Sequence, residues 1–199
     1  MRTYTLRQMA ELIGAADGRN AEGVAYLHQQ LRNLHAKGFL IAGERRGIGR
    51  TSSSLFDEVE LCRARLLSIL YDLGFDARML REASDRMSPS ASGVRVSTGS
   101  DGERREDYYW DDPHSAERHL DKLPAAVREG EIWTLRLKLI SQHGRKGISG
   151  GFHAAQDPQP SAEEERAVAA FYEHQELQVQ ATLTLPASDL VAPLVVEER

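Results

Sequence analysis

Arg45, Arg46 and Arg50 stand among Gly43, Gly47 and Gly49 in the stretch "AGERRGIGR". A guanidinium is always charged, and its planar fork of N–H groups fits phosphate oxygens. Glycine keeps such a loop slim and lets its backbone come close to a ligand. The chemistry this pattern suits is an electrostatic grip on a phosphodiester backbone. Upstream, Arg19, Asn20, Tyr26, His28, Gln29, Gln30 and Arg32 are side-chain types able to read base edges or phosphates. A charged loop alone is most often only solvated, so the elements around it decide its meaning.

Other constellations point nowhere sharper. His114 and His119 lie five positions apart beside Asp111, Asp112 and Glu117. Two zinc ligands on one helix face are four apart in the metalloprotease pattern, so no metal site is expected. Cys62 is the single cysteine and can form neither an internal disulfide nor a thiolate zinc site. It falls on the apolar side of its segment and reads as a core residue. "GRKGISGGF", from Gly144 to Phe152, lacks the GK[ST] ending of a phosphate loop and reads as a flexible loop between elements. "DYYWDD", from Asp107 to Asp112, reads as an anchor that holds a linker onto a second domain. No nucleophile elbow or similar context occurs, so neither an enzyme nor a cofactor is expected.

The elements that must position the arginines follow from hydrophobic spacing. Thr5 and Gln8 have capping-box spacing ahead of Leu6, Met9, Leu12 and Ile13. After the turn "AADGRN", Val24, Leu27, Leu31 and Leu34 repeat at helical steps, and Gly38 stands where a left-handed cap is wanted. Phe39 to Ile41 and Leu55 to Phe56 then flank the Gly/Arg stretch as the two strands of a hairpin. Asp57 and Glu60 open a third helix with Val59, Cys62, Leu66, Ile69, Leu70 and Leu73 along one side. Asp76 opens a fourth, with Leu80, Ala83 and Met87 in line.

"SPSASGVRVSTGSDGERRED" follows, polar and rich in Ser and Gly, and reads as a mobile linker. Beyond it, "HSAERHLDKLPAAVREG" reads as a helix broken at Pro124. Trp133, Leu135, Leu137 and Leu139 alternate with polar residues as a half-buried strand, and Leu177 to Leu185 alternate likewise. "AEEERAVAAFYEH" reads as a helix between them, and "ASDLVAPLVVEER" as one more helical turn with an apolar end. Two alternating strands rarely stand alone, so a further strand is expected from an unassigned segment or a second subunit.

The front order of helix, turn, helix, hairpin, helix, helix is that of a winged helix-turn-helix, whose second helix fits a DNA major groove. In four ordered places the chain resembles the MerR family of transcription regulators. "YTLRQMAELIG" is similar to the family's opening helix. "LRNLHAKGFL" aligns without a gap to the end of its second helix, with Arg32 on the motif arginine and Gly38 on its glycine. Phe56-Asp57-Glu58 match the aromatic and acidic start of the next helix. "LGFDARML", from Leu73 to Leu80, matches the last signature. The resemblance covers roughly residues 3–87. It implies DNA-backbone contacts from Arg32 and the wing arginines, a dimer, and a near-palindromic site.

The fold class expected is therefore α+β. A winged helix-turn-helix spans residues 1–87, a flexible linker 88–107, and a small α+β domain 108–199 serves oligomerisation, a ligand or a protein partner. The function expected is sequence-specific binding of double-stranded DNA in transcriptional control, through Arg19, Tyr26, His28, Gln29, Arg32, Arg45, Arg46 and Arg50. The alternative is an excisionase-like or packaging-subunit module, as in a phage, inside a larger assembly.

Charge agrees with this order. Residues 1–50 hold 8 Lys/Arg against 4 Asp/Glu, whereas residues 88–199 hold 12 against 19, a net of −7. A basic front fits an anionic partner. No stretch nears the ~20 apolar residues of a spanning helix. "MRTYTLRQMAELIG" has no apolar h-region. Cytoplasmic residence without a membrane partner is the expectation.

Overall fold

The structure, a computed structural model, describes residues 2–46, 53–88, 94–98, 104–108, 118–157, 161–174 and 176–196. It is an α+β fold with seven α-helices among those residues. Helix α1 spans Leu6–Ala16 and begins with the expected capping box. The Thr5 hydroxyl accepts from Gln8 N, and the Gln8 side chain accepts from Thr5 N at 2.8 Å. Helix α2 spans Ala21–Ala36, and Asn20 caps it by accepting from Gly23 N at 2.9 Å. Gly38 has φ +74°, which lets Phe39 N–H donate back to Leu34 O at 2.9 Å and close the helix. Met9, Ala10 and Ile13 of α1 and Leu27, Leu31 and Leu34 of α2 enter the core.

Strands β1 (Glu44–Arg46) and β2 (Ser53–Leu55) form a short antiparallel ribbon in which Arg45 faces Ser54 and Arg46 faces Ser53. The first strand starts later than expected. Phe39 and Leu40 are buried in the core instead of pairing. Apolar residues this close to a helix end gain more from burial than an exposed ribbon offers them.

Helix α3 (Glu58–Asp72) is capped by Asp57, which accepts from Glu60 N. Sequence spacing gave α3 one apolar side, yet every residue from Glu60 to Ser68 is buried, while Leu73 is 56% exposed. The cause lies far along the chain. Helices α5 (Leu123–Arg128) and α7 (Ala187–Val195) pack on the side of α3 that α1 and α2 leave open. Helix α4 (Ala77–Arg86), capped by Asp76, completes the front part. Cys62 lies in the core, where burial pushes its thiol pKa up and keeps it uncharged.

Within the segment read as a linker, β3 (Val94–Thr98) and β4 (Arg104–Tyr108) pair antiparallel. A 3-10 turn at Leu120–Lys122 then leads into α5. Pro124 stands in the first turn of α5 and starts it instead of breaking it, since a proline there forfeits no internal hydrogen bond.

Strands β5 (Trp133–Gln142), β6 (Arg145–Ala154) and β7 (Gln178–Leu185) form one antiparallel sheet in the order β6-β5-β7. Helix α6 (Ala162–His174) connects β6 to β7. The missing third strand is β6, built from the segment read as a flexible loop. Its Gly147, Gly150 and Gly151 carry no side chains, so alternation could not announce a strand. Trp133, Leu135 and Leu137 are buried as expected. A register shift between Leu139 and Ile140 then exchanges faces, and Ile140 is the buried one. Only the far end of β7 is covered: Leu185 is buried and Val179 is 46% exposed. One hydrophobic core joins the helices of the front part to α5, α7 and the sheet.

Candidate nucleic-acid interface

The outer face of α2 is built by subtraction. Leu27, Leu31 and Leu34 turn inward, so Glu22, Tyr26, Gln29, Arg32, Asn33 and Ala36 turn outward at steps of three and four. The Tyr26 ring is 55% exposed. Gln29 Nε2 donates to Asn33 Oδ1 at 3.2 Å, which orders one amide on this face. His28 is half-buried at the margin. Arg32 is exposed and has no hydrogen-bond or ion-pair partner among the described residues.

Six other arginines of the front part contrast with it. Arg7 pairs with Glu11, Arg63 with Glu60, and Arg78 with Glu82. Arg81 Nη2 donates to Lys37 O at 2.8 Å. Arg65 donates to Asp17 at 2.8 Å. Arg19, a candidate DNA contact from the sequence, is also consumed within the protein. Its Nε donates to Asp17 at 2.9 Å and its Nη2 reaches Asp72 at 3.5 Å, with the side chain 23% exposed. Gln30 joins the same network, donating to Asp72 at 3.0 Å and to Ser68 O at 3.3 Å. Two arginines sharing Asp17 hold the α1–α2 turn against α3. Asn20 serves as a helix cap, so its side-chain oxygen is occupied too.

A groove of about 500 Å³ separates α2 from the ribbon. His35 and Gly38 line it from the end of α2, together with residues 40–43 and Ser54 of β2. The ribbon's base is pinned on three sides. Tyr4 exchanges backbone hydrogen bonds with Phe56 at 2.8 and 2.9 Å. His35 Nδ1 lies 2.9 Å from Leu40 O, and its ring meets Phe56 edge-on at 5.1 Å. Ile41 N donates to Glu60 Oε2 at 2.9 Å. A fixed base gives β1 a fixed origin relative to α2. Arg45 and Arg46 belong to β1; Arg50 lies outside the described residues.

Glu60 couples the ribbon base to pH. Burial raises its carboxyl pKa above the ordinary 4.5, against the pull of Arg63 and the Ile41 N–H. The folded chain therefore holds this proton at pH values where the unfolded chain has lost it. Stability from this group falls as pH rises from the ordinary value to the raised one, and is level above it. In urea melts from about pH 4 to 7, the stability of wild type minus that of Glu60→Gln is expected to fall with rising pH. A constant difference would mean that Glu60 titrates like an exposed carboxylate.

No family model and no curated protein matches the chain.

Among the described residues, no helix is long and apolar enough to cross a membrane. What the site offers chemically is one unpaired guanidinium, an exposed phenol and an ordered amide pair on α2. A ribbon whose first strand carries two arginines lies across the groove. Sequence reading named Tyr26, Gln29 and Arg32, which lie on the outer face of α2. It could not separate them from Arg19, whose partner Asp72 lies 53 positions away.

Proposed function

We propose that residues 1–87 form a winged helix-turn-helix that binds double-stranded DNA. Helix α2 lies in the major groove, and the β1–β2 ribbon is the wing on the flanking backbone. The observation that carries this reading is the unequal use of arginine. Six arginines of the front part are spent on carboxylates or a carbonyl, while Arg32 on the outer face of α2 is spent on nothing within the described residues. An unpaired arginine beside a ribbon carrying Arg45 and Arg46 is what phosphate contact requires. Tyr26 and Gln29 supply groups that can discriminate bases in the major groove. The resemblance to MerR-type regulators in residues 3–87 supports the same surface. We read the protein as a sequence-specific transcriptional regulator acting in the cytoplasm as a dimer.

A second reading has an observation of its own. Helix α4 ends at Arg86 and β3 begins at Val94, so the long dimerising helix of MerR-type regulators does not follow. An excisionase-like or packaging module would use the same surface at a single site within a larger complex.

Fluorescence anisotropy with duplexes from the gene's own promoter region, and with scrambled duplexes, tests both readings. Wild-type binding is expected to prefer the promoter and to weaken steeply with salt. Arg32→Ala/Arg45→Ala/Arg46→Ala is expected to reduce the slope of log Kobs against log[salt] by about 1 per arginine. A two-fold symmetric footprint favours the regulator, and a single unpaired site favours the module. A variant indistinguishable from wild type sinks the assignment of this surface.

A further inference from the structure

We infer that the duplex contact continues past α2 along a ridge of cations, Lys37, Arg145 and Lys146, braced by Arg81 and Arg78, so that the turn between β5 and β6 also holds the phosphate backbone. The inference rests on the DNA-binding reading above and extends it into the acidic part of the chain.

The ridge begins where α2 ends. Lys37 continues the outer line of Gln29 and Asn33 and is exposed. Its carbonyl accepts from Arg81 Nη2, and the Arg81 guanidinium lies 4.4 Å over the Phe39 ring. Stacking fixes that guanidinium in place, so that it braces the end of α2. Arg78 precedes Arg81 by one turn on the same exposed side of α4. It donates to the backbone carbonyl of Lys146.

A second bond holds the sheet to the same helix: Ile148 N donates to Glu82 Oε2 at 2.8 Å. The β5–β6 turn is thus docked on α4 at two points. The turn itself is stiff. His143 and Gly144 have φ values of 46° and 75°, the two consecutive left-handed residues of a tight two-residue hairpin. Arg145 and Lys146 leave that turn exposed.

The carboxylates nearby do not cancel the line. Glu82 is committed to Ile148 N and Arg78, and Asp76 to capping α4 through Met79 N. Glu176 stands by His143 at 3.3 Å on the turn's other flank, and exposed Asp85 lies beyond Arg81 on α4. Exposed Lys37, Arg145 and Lys146, with the carbonyls of the two lysines held by Arg81 and Arg78, match a sugar–phosphate strand, which presents one negative charge after another. The net charge of residues 88–199 hides the pair, because Arg145 and Lys146 are two cations in a segment with a 7-charge acidic excess.

The test compares salt slopes for full-length wild type, Arg145→Ala/Lys146→Ala, and a control with equal charge loss away from the ridge, Arg136→Ala/Arg166→Ala. The ridge variant is expected to bind with a slope shallower by about 2. Its ratio of promoter to scrambled affinity should be unchanged, because phosphates carry no sequence information. The control should keep the wild-type slope. A wild-type slope in the ridge variant, or an equal loss in the control, overturns the ridge while leaving α2 and the wing in place. Wild type that binds no duplex in a salt-dependent way overturns the DNA reading and the ridge with it. Thermal melts of both variants check that these exposed changes leave the fold intact.

Discussion

Gly150→Ala should destabilise the protein by about 3 kcal/mol or more. Gly150 lies in β6 opposite Leu137, with φ +121°, a region that side chains of L-residues rarely adopt. A Cβ at this position would lie 2.1 Å from Arg136 O and 3.1 Å from Arg136 C. Both are backbone atoms of the central strand, so no side-chain rotation relieves the contact. Either β5 moves and disturbs its pairing with both neighbours, or β6 detaches. Urea melts give the measurement. A Gly150→Ala protein within about 1 kcal/mol of wild type would mean that β5 and β6 do not approach this closely.

Leu67→Ala is expected to cost about 2–5 kcal/mol, the range for truncating a fully buried leucine. The more telling result is where the loss appears. Leu67 is fully buried on α3, and α3 packs against α1 and α2 on one side and α5 and α7 on the other. Hydrogen exchange should therefore record equal losses of protection in α1 and in β5, because the core is one cluster. Loss confined to α1 and α2 would mean that two cores unfold separately, and that the packing of α7 on α3 contributes little.

Local structure was legible wherever a few neighbouring residues decide it. The Thr5–Gln8 box, the caps at Asp57 and Asp76 and the turn at Gly38 all depend on bonds spanning a few positions, and all are present. The β5 alternation was legible up to the register shift at Leu139 and Ile140, which depends on the pairing of β5 with β7.

What escaped reading was set at a distance. Nothing near α3 in sequence announces that α7, more than a hundred positions later, covers its second side. Strand β6 was missed because three of its positions are glycine, silent in any hydrophobic pattern, and at Gly150 close backbone approach requires one. At the candidate interface, residue type picked out Arg19 and Arg32 equally. Asp17 and Asp72 distinguish them, and only the fold brings Asp72 to Arg19.

The two edges of the β6-β5-β7 sheet are unlike. Beside β6, Glu82 takes the Ile148 N–H and α4 packs against the strand. Beside β7 no further strand pairs among the described residues, and Gln178 to Leu185 contain no charge and no proline, the usual guards of an open edge. The edge left open along its length among the described residues is β7, the place for an added strand. Were the addition a second copy pairing through its own β7, both remaining edges would be β6 edges packed against α4. Growth would then terminate at two chains, so crowding would produce pairs and not fibrils.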